Sequence, residues 1–134
     1  MVVGGEKRRD SVFNGLTNLP ENTKFVMIHD AVRPLVNTDL VNEHINLIKT
    51  NEYGAVDTIV EITDNLIEST DDGFHSRIIP RKNVKLSLTP ETFDYEILLE
   101  CHKKRIDQNL DIPEIYDDAS LGCSASIFPS PLRY

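Results

Sequence analysis

The stretch His29-Asp30-Ala31-Val32-Arg33-Pro34 places an acid, a base and a proline directly after the apolar run Phe25-Val26-Met27-Ile28. Consecutive apolar residues of this kind read as a buried strand. Polar side chains just beyond the C-terminal end of such a strand occupy the crevice where open α/β sheets take their ligands. One aspartate is enough there for Mg²⁺, which fills the rest of its shell with water and phosphate oxygens. An arginine three residues on offers a planar fork for phosphate. Asp30 is thus a candidate metal ligand and Arg33 a candidate phosphate or geometry-setting group. The alternative is an Asp–Arg pair that only pins the strand end.

Three further groupings carry possible chemistry. Gly4-Gly5-Glu6-Lys7-Arg8-Arg9-Asp10-Ser11 has a glycine turn ahead of a helix, which exposes backbone N–H groups to an anion. It also reads as a plain strand-to-helix turn with a solvated basic triplet. Arg81, Lys82 and Lys85 precede Leu88-Thr89-Pro90-Glu91, and these cations either meet a second phosphate or are solvated. Thr89, before a proline, is expected to be extended, with a helix following at once and Pro90 near its first position. Tyr116-Asp117-Asp118-Ala119-Ser120 offers adjacent acids for a metal or, the commoner use, a helix cap. His29, His44, His75 and His102 lack zinc spacing with Cys101 and Cys123. His44 reads as packing, and His102 points away from Cys101 because helix neighbours diverge.

These groups need elements to hold them. Residues 1–5 read as a strand ending in a glycine turn, the start expected of a domain that has lost its beginning. Residues 9–16 read as a helix capped by Asp10 or Ser11, and residues 24–28 as the buried strand. A second helix opens at Asn37 or Thr38, with Leu40, Val41, His44, Ile45 and Ile48 on its apolar face. Residues 55–62 alternate as a strand. Residues 66–70 and 74–79 flank Asp71-Asp72-Gly73 as a hairpin, since Asp-Gly suits a tight turn. Residues 91–105 read as the clearest helix. The prolines and small residues of 124–134 read as a frayed tail.

The chain has 134 residues, of which 40% are hydrophobic and 27% charged, with a net charge of −8. That is an ordinary globular composition for one domain. Its acidity excludes general nucleic-acid binding, which needs clustered Lys and Arg. Its apolar runs are too short to span a bilayer. No secretory signal pattern opens the chain, and two cysteines are no disulfide framework. Both are expected as free thiols in a reducing, cytoplasmic setting.

In their order and separations, the segments Gly4-Gly5, Arg8, Asp10-Ser11-Val12, Asn14-Gly15-Leu16, His29-Asp30-Ala31-Val32-Arg33-Pro34, Arg81, Thr89-Pro90, Phe93 and Asp117-Asp118-Ala119-Ser120 resemble the sugar- and polyol-phosphate cytidylyltransferases. The resemblance implies a Rossmann-like α/β nucleotidyltransferase fold, incomplete here, with an inserted β-hairpin arm. It implies a partial domain over residues 1–121 and a non-matching tail over 122–134. The implied reaction joins CTP and a polyol phosphate into a CDP-polyol and pyrophosphate, assisted by Mg²⁺. By position, Gly4, Gly5, Arg8, Ser11, Asp30, Ala31 and Thr89 fall in the binding set, with Gly5 and Ser11 at the cytosine. Asp30 serves the metal and the ribose or phosphate region, and Arg33 organises the polyol-phosphate site. Arg81 and Thr89 lie at or near a dimer arm over residues 65–79, with Arg81 reaching the partner's substrate phosphate. Asp30, Arg33 and Arg81 form the catalytic set.

The chain also departs from that pattern. The glycine-rich, cationic loop that holds the triphosphate is absent, as is an Asn-x-Lys segment after Ser120. Asn65 replaces a common threonine and Glu91 a common glutamine. Little activity is expected of this polypeptide alone. Residues 55–61 and Ile79-Pro80 look more like the branch that uses ribitol 5-phosphate, with the methylerythritol-phosphate branch of isoprenoid synthesis as the alternative. Two other readings stand beside the enzyme: a noncatalytic subunit that pairs with longer chains through the hairpin, and an α/β binding domain that shares only the fold.

Overall fold

The computed structural model describes residues 1–108 and Asp118. Its elements run α1 (Arg8–Leu16), β1 (Phe25–Ile28), α2 (Thr38–Ile48), β2 (Ala55–Glu61), β3 (Leu66–Ser69), β4 (His75–Ile79), a 3₁₀ turn (Arg81–Asn83), β5 (Lys85–Asp94) and α3 (Tyr95–Asp107). Helices and strands alternate around a three-stranded sheet of order β1-β5-β2, and β3-β4 form a separate two-stranded hairpin. The fold is α/β with a hairpin arm, as the sequence predicts.

β5 is the central strand and runs antiparallel to both neighbours. Its alternation sorts side chains onto two faces. Phe93 points into a core with Leu16 of α1, Ala55 of β2 and Leu98 of α3, and Val26 and Ile28 of β1 pack against it. Thr92 points the other way, where its hydroxyl meets His44 of α2 at 3.0 Å. His44 also meets Thr58 at 2.9 Å and is fully buried. His44 is therefore a packed core histidine, as expected.

Three sequence expectations change. Residues 91–94 belong to β5, and α3 begins at Tyr95 with the Asp94 side chain accepting from the Ile97 amide at 3.1 Å. The reason is tertiary: Glu91, Thr92 and Phe93 lie between two strands that pair with both edges of this segment. Pro90 is thus a strand residue and not a helix start. It sits where the β2 register jumps from Asp57 opposite Glu91 to Thr58 opposite Leu88, so its missing N–H costs no ladder bond. Residues 1–5 form no strand; Val3 is exposed and its carbonyl accepts from the Asn14 amide at 3.2 Å. Their described hydrogen bonds go to α1 side chains, Asn14 and Ser11, and not to a strand. Finally, α1 starts one residue early and is capped from within, the Lys7 amide donating to Asp10 at 3.3 Å.

Other elements match closely. Asn37 caps α2 by accepting from the Leu40 amide at 2.8 Å, and Gly73 takes a φ of 85° at the hairpin turn, a conformation glycine adopts at no steric cost. Cys101 is in no disulfide among the described residues, and Cys123 lies outside them. Among the described residues, no helix is long and apolar enough to cross a membrane.

Candidate active site

β1 delivers Asp30 to a tight turn. The Arg33 amide donates to the Asp30 carbonyl at 3.0 Å, and His29 Nε2 lies 2.8 Å from the Arg33 carbonyl. A carbonyl only accepts, so Nε2 carries the hydrogen. The turn folds Arg33 back on Asp30, with Nε at 3.2 Å from Oδ2. Both side chains are part-exposed, and Ala31 is exposed between them. From the central strand, Thr89 Oγ1 accepts the Asp30 amide at 3.0 Å. A cavity of about 290 Å³ lies alongside, lined by His29, Arg33, Pro34, Leu40, Leu88 and Thr89. The structure thus brings Asp30, Ala31, Arg33 and Thr89 to one place.

The glycine turn forms a second group. Ser11 Oγ accepts the Gly5 amide at 2.9 Å. A Cβ at Gly5 would lie 2.4 Å from Asp10 Cβ, inside any tolerable contact, and one at Gly4 would lie 3.1 Å from Ser11 Oγ. Gly4, Gly5 and Ser11 therefore close into one compact turn at the start of α1. Arg8 follows it, with Nη1 donating to Asp118 Oδ2 at 2.7 Å and Nη2 at 3.9 Å from Glu91. Burial pulls the Arg8 pKa down, but the charge and hydrogen bond of Asp118, with the charges of Glu91 and Asp30, prevail and hold it above its ordinary value.

Arg81 joins a different feature. Its guanidinium donates to the Thr63 carbonyl at the foot of the hairpin, away from the Asp30–Arg33 pair. Asp118 also departs from expectation: its carboxylate is buried between Arg8 and His102 and serves as their partner, where a cap was expected. The other residues of that acidic segment lie outside the described residues. Sequence reasoning missed His102, Glu91 and Asp118 as a buried cluster of titratable side chains. Their one legible signal was position: His102 follows Leu98 by four residues and so shares its core face.

Among the described residues, no three His, Cys, Asp or Glu side chains gather as a metal cage. Asp30 nevertheless suits Mg²⁺, which binds through one or two carboxylates plus substrate phosphates.

A family profile described as IspD, 2-C-methyl-D-erythritol 4-phosphate cytidylyltransferase, matches residues 1–127. The chain belongs to this family. A relative of that name from Clostridium botulinum (strain Okra / Type B1) is 38% identical over 104 residues, 78% of this chain and 44% of the relative. One from Prochlorococcus marinus (strain MIT 9515) is 36% identical over 120 residues, 90% of this chain and 52% of the relative. The solved structure of the Thermus thermophilus enzyme of that name superposes with a TM-score of 0.76 at 28% identity, covering 88% of this chain and 55% of that one. The Francisella tularensis structure gives 0.77 at 27% identity, covering 88% and 54%. The chain spans about half the length of the relatives it matches.

These relatives are named for methylerythritol phosphate, so they favour that branch over the ribitol 5-phosphate branch expected from sequence. Of the residues behind the ribitol expectation, Ala55, Val56 and Thr58 are buried in β2, where packing constrains residue type.

Proposed function

We propose that this chain supplies the nucleotide and polyol-phosphate side of a cytidylyl transfer, in which CTP and 2-C-methyl-D-erythritol 4-phosphate give a CDP-polyol and pyrophosphate. The observation that carries this reading is the convergence of Asp30, Arg33 and Thr89 on one turn beside a cavity. An oxygen of the polyol phosphate attacks the α-phosphorus of CTP, the α–β anhydride bond breaks, and pyrophosphate leaves. Such transfer needs positioning and charge neutralisation more than covalent help from the protein. Gly5 and Ser11 receive the cytosine edge, Arg33 holds the polyol phosphate, and Arg8 faces phosphate oxygens beside Asp30. Asp30 would hold Mg²⁺, which when bound neutralises the triphosphate.

The hairpin supports a second copy as partner. Ile67, Phe74 and Ile78 are exposed on it, and in this reading Arg81, now bonded to the Thr63 carbonyl at its foot, turns to a neighbour's substrate phosphate. The same exposed hairpin supports a second reading, a noncatalytic subunit that docks on longer family members.

The deciding experiment titrates the chain with CTP and with ATP in the presence of Mg²⁺, then measures pyrophosphate release with methylerythritol 4-phosphate and with ribitol 5-phosphate. CTP is expected to bind in preference to ATP, with methylerythritol phosphate the better acceptor. Equal ATP binding sinks the cytidine reading, and a better rate with ribitol phosphate sinks the branch assignment. CTP binding without turnover, together with co-purification with a longer family member, supports the subunit reading.

A further inference from the structure

Asp118 is fully buried, and the chemistry above leaves it without a role. Its carboxylate joins two helices: Oδ2 takes Arg8 Nη1 of α1 at 2.7 Å, and Oδ1 lies 3.2 Å from His102 Nε2 of α3. His102 is buried too and stacks on Phe13 of α1, ring centres 5.9 Å apart. A second tie runs in parallel, Arg105 of α3 donating to Asp10 at 3.1 Å. Removing a carboxylate from water costs several kcal/mol, on the order of the gain from its pairing, so this arrangement is poorly explained by stability alone.

Arg8 is the exception to the burial. Its side chain is 42% exposed, against 1% for Asp118. Arginine has five N–H donors, so a guanidinium with Asp118 at Nη1 and Glu91 3.9 Å from Nη2 keeps further donors for a ligand. That side chain opens α1, directly after the turn that holds Gly4, Gly5 and Ser11.

We propose that Asp118, packed against His102, is a positioning residue of the nucleotide site: it fixes the Arg8 guanidinium so that its exposed N–H groups meet phosphate oxygens of a nucleoside triphosphate. This rests on the cytidylyl-transfer reading above. Asp118 touches no substrate; it acts through Arg8.

The test compares the whole chain with its Asp118→Asn, Arg8→Lys and double variants. CTP and methylerythritol 4-phosphate binding are titrated separately, and the Arg8 guanidinium is followed by nitrogen NMR. Asp118→Asn is expected to free guanidinium rotation and weaken CTP binding about tenfold, the scale of one charge-assisted bond, with polyol-phosphate binding unchanged. The double variant is expected to bind CTP no worse than Arg8→Lys. Additive losses, equal losses for both ligands, or an unchanged Arg8 signal overturn the proposal. If Asp118→Asn fails to fold, Arg8→Lys decides, since its site is part-exposed: unchanged CTP affinity there overturns the proposal. A wild-type chain that ignores CTP overturns the cytidylyl-transfer reading itself, an outcome distinct from all of these.

Discussion

The backbone amide of Asp30 donates to Thr89 Oγ1 at 3.0 Å, tying the turn after β1 to the central strand across 59 residues of sequence. The bond makes the placement of Asp30 depend on a side chain of β5. Thr89→Val keeps the shape and removes the acceptor, leaving a part-buried amide unsatisfied. A loss of about 1–2 kcal/mol in urea unfolding is expected, together with weaker ligand binding. Thr89→Ser is expected to retain both, and equal behaviour of the two variants would rule the bond out as the cause.

Asp30→Asn separates metal binding from folding. The Asp30–Arg33 pair is part-exposed on both sides, so its loss should cost no more than about 1 kcal/mol. CTP affinity at millimolar Mg²⁺ is expected to fall about tenfold, the scale of one lost charge-assisted contact, to the level seen with chelator. A Mg²⁺ dependence that survives in Asp30→Asn removes the metal assignment.

Two glycines of the same region should respond in opposite directions. Gly5→Ala drives a methyl into Asp10 and is expected to destabilise by about 1–3 kcal/mol. Gly15 lies within α1, where an added Cβ meets nothing within 4 Å. Gly15→Ala is expected to stabilise by about 0.5–1 kcal/mol. Thermal midpoints of the pair check both.

His44 sets an acid limit on stability. Thr58 spends its hydrogen on the Pro90 carbonyl at 2.8 Å, so it accepts from His44 Nε2. Nδ1 then accepts from Thr92. Burial pushes the His44 pKa down from 6.5 to about 4. Between those values the unfolded chain binds the extra proton and the folded one does not, so stability falls as pH drops through this window. The His44 contribution is fully present above pH 6.5 and gone below about pH 4. Urea midpoints measured across this range should decline, and His44→Gln should flatten the slope.

The hairpin prediction concerns assembly. Phe74 and Ile78 are 70% and 68% exposed, and a charge there should oppose burial against a second copy. Sedimentation equilibrium is expected to show a dimer for the chain and a monomer for Phe74→Asp/Ile78→Asp. A monomeric wild type rules out the hairpin-mediated pair.

Sequence alone determined the features whose causes are local. The Asn37 cap, the apolar spacing of α2 and the glycine at the hairpin turn each depend on residues within a few positions, and all three appear where expected. The order of motifs along the chain also carried the family, since it needs no contacts to be read. Tertiary structure decided the rest. Residues 91–94 look helical by composition but become strand because β1 and β2 supply hydrogen-bond partners on both edges. The Arg8–Asp118 bond spans 110 residues, and His102 and Glu91 join it only once α3 and β5 pack. Periodicity tells which face of an element is buried, whereas the partner of a buried charge is chosen by whatever the fold brings alongside.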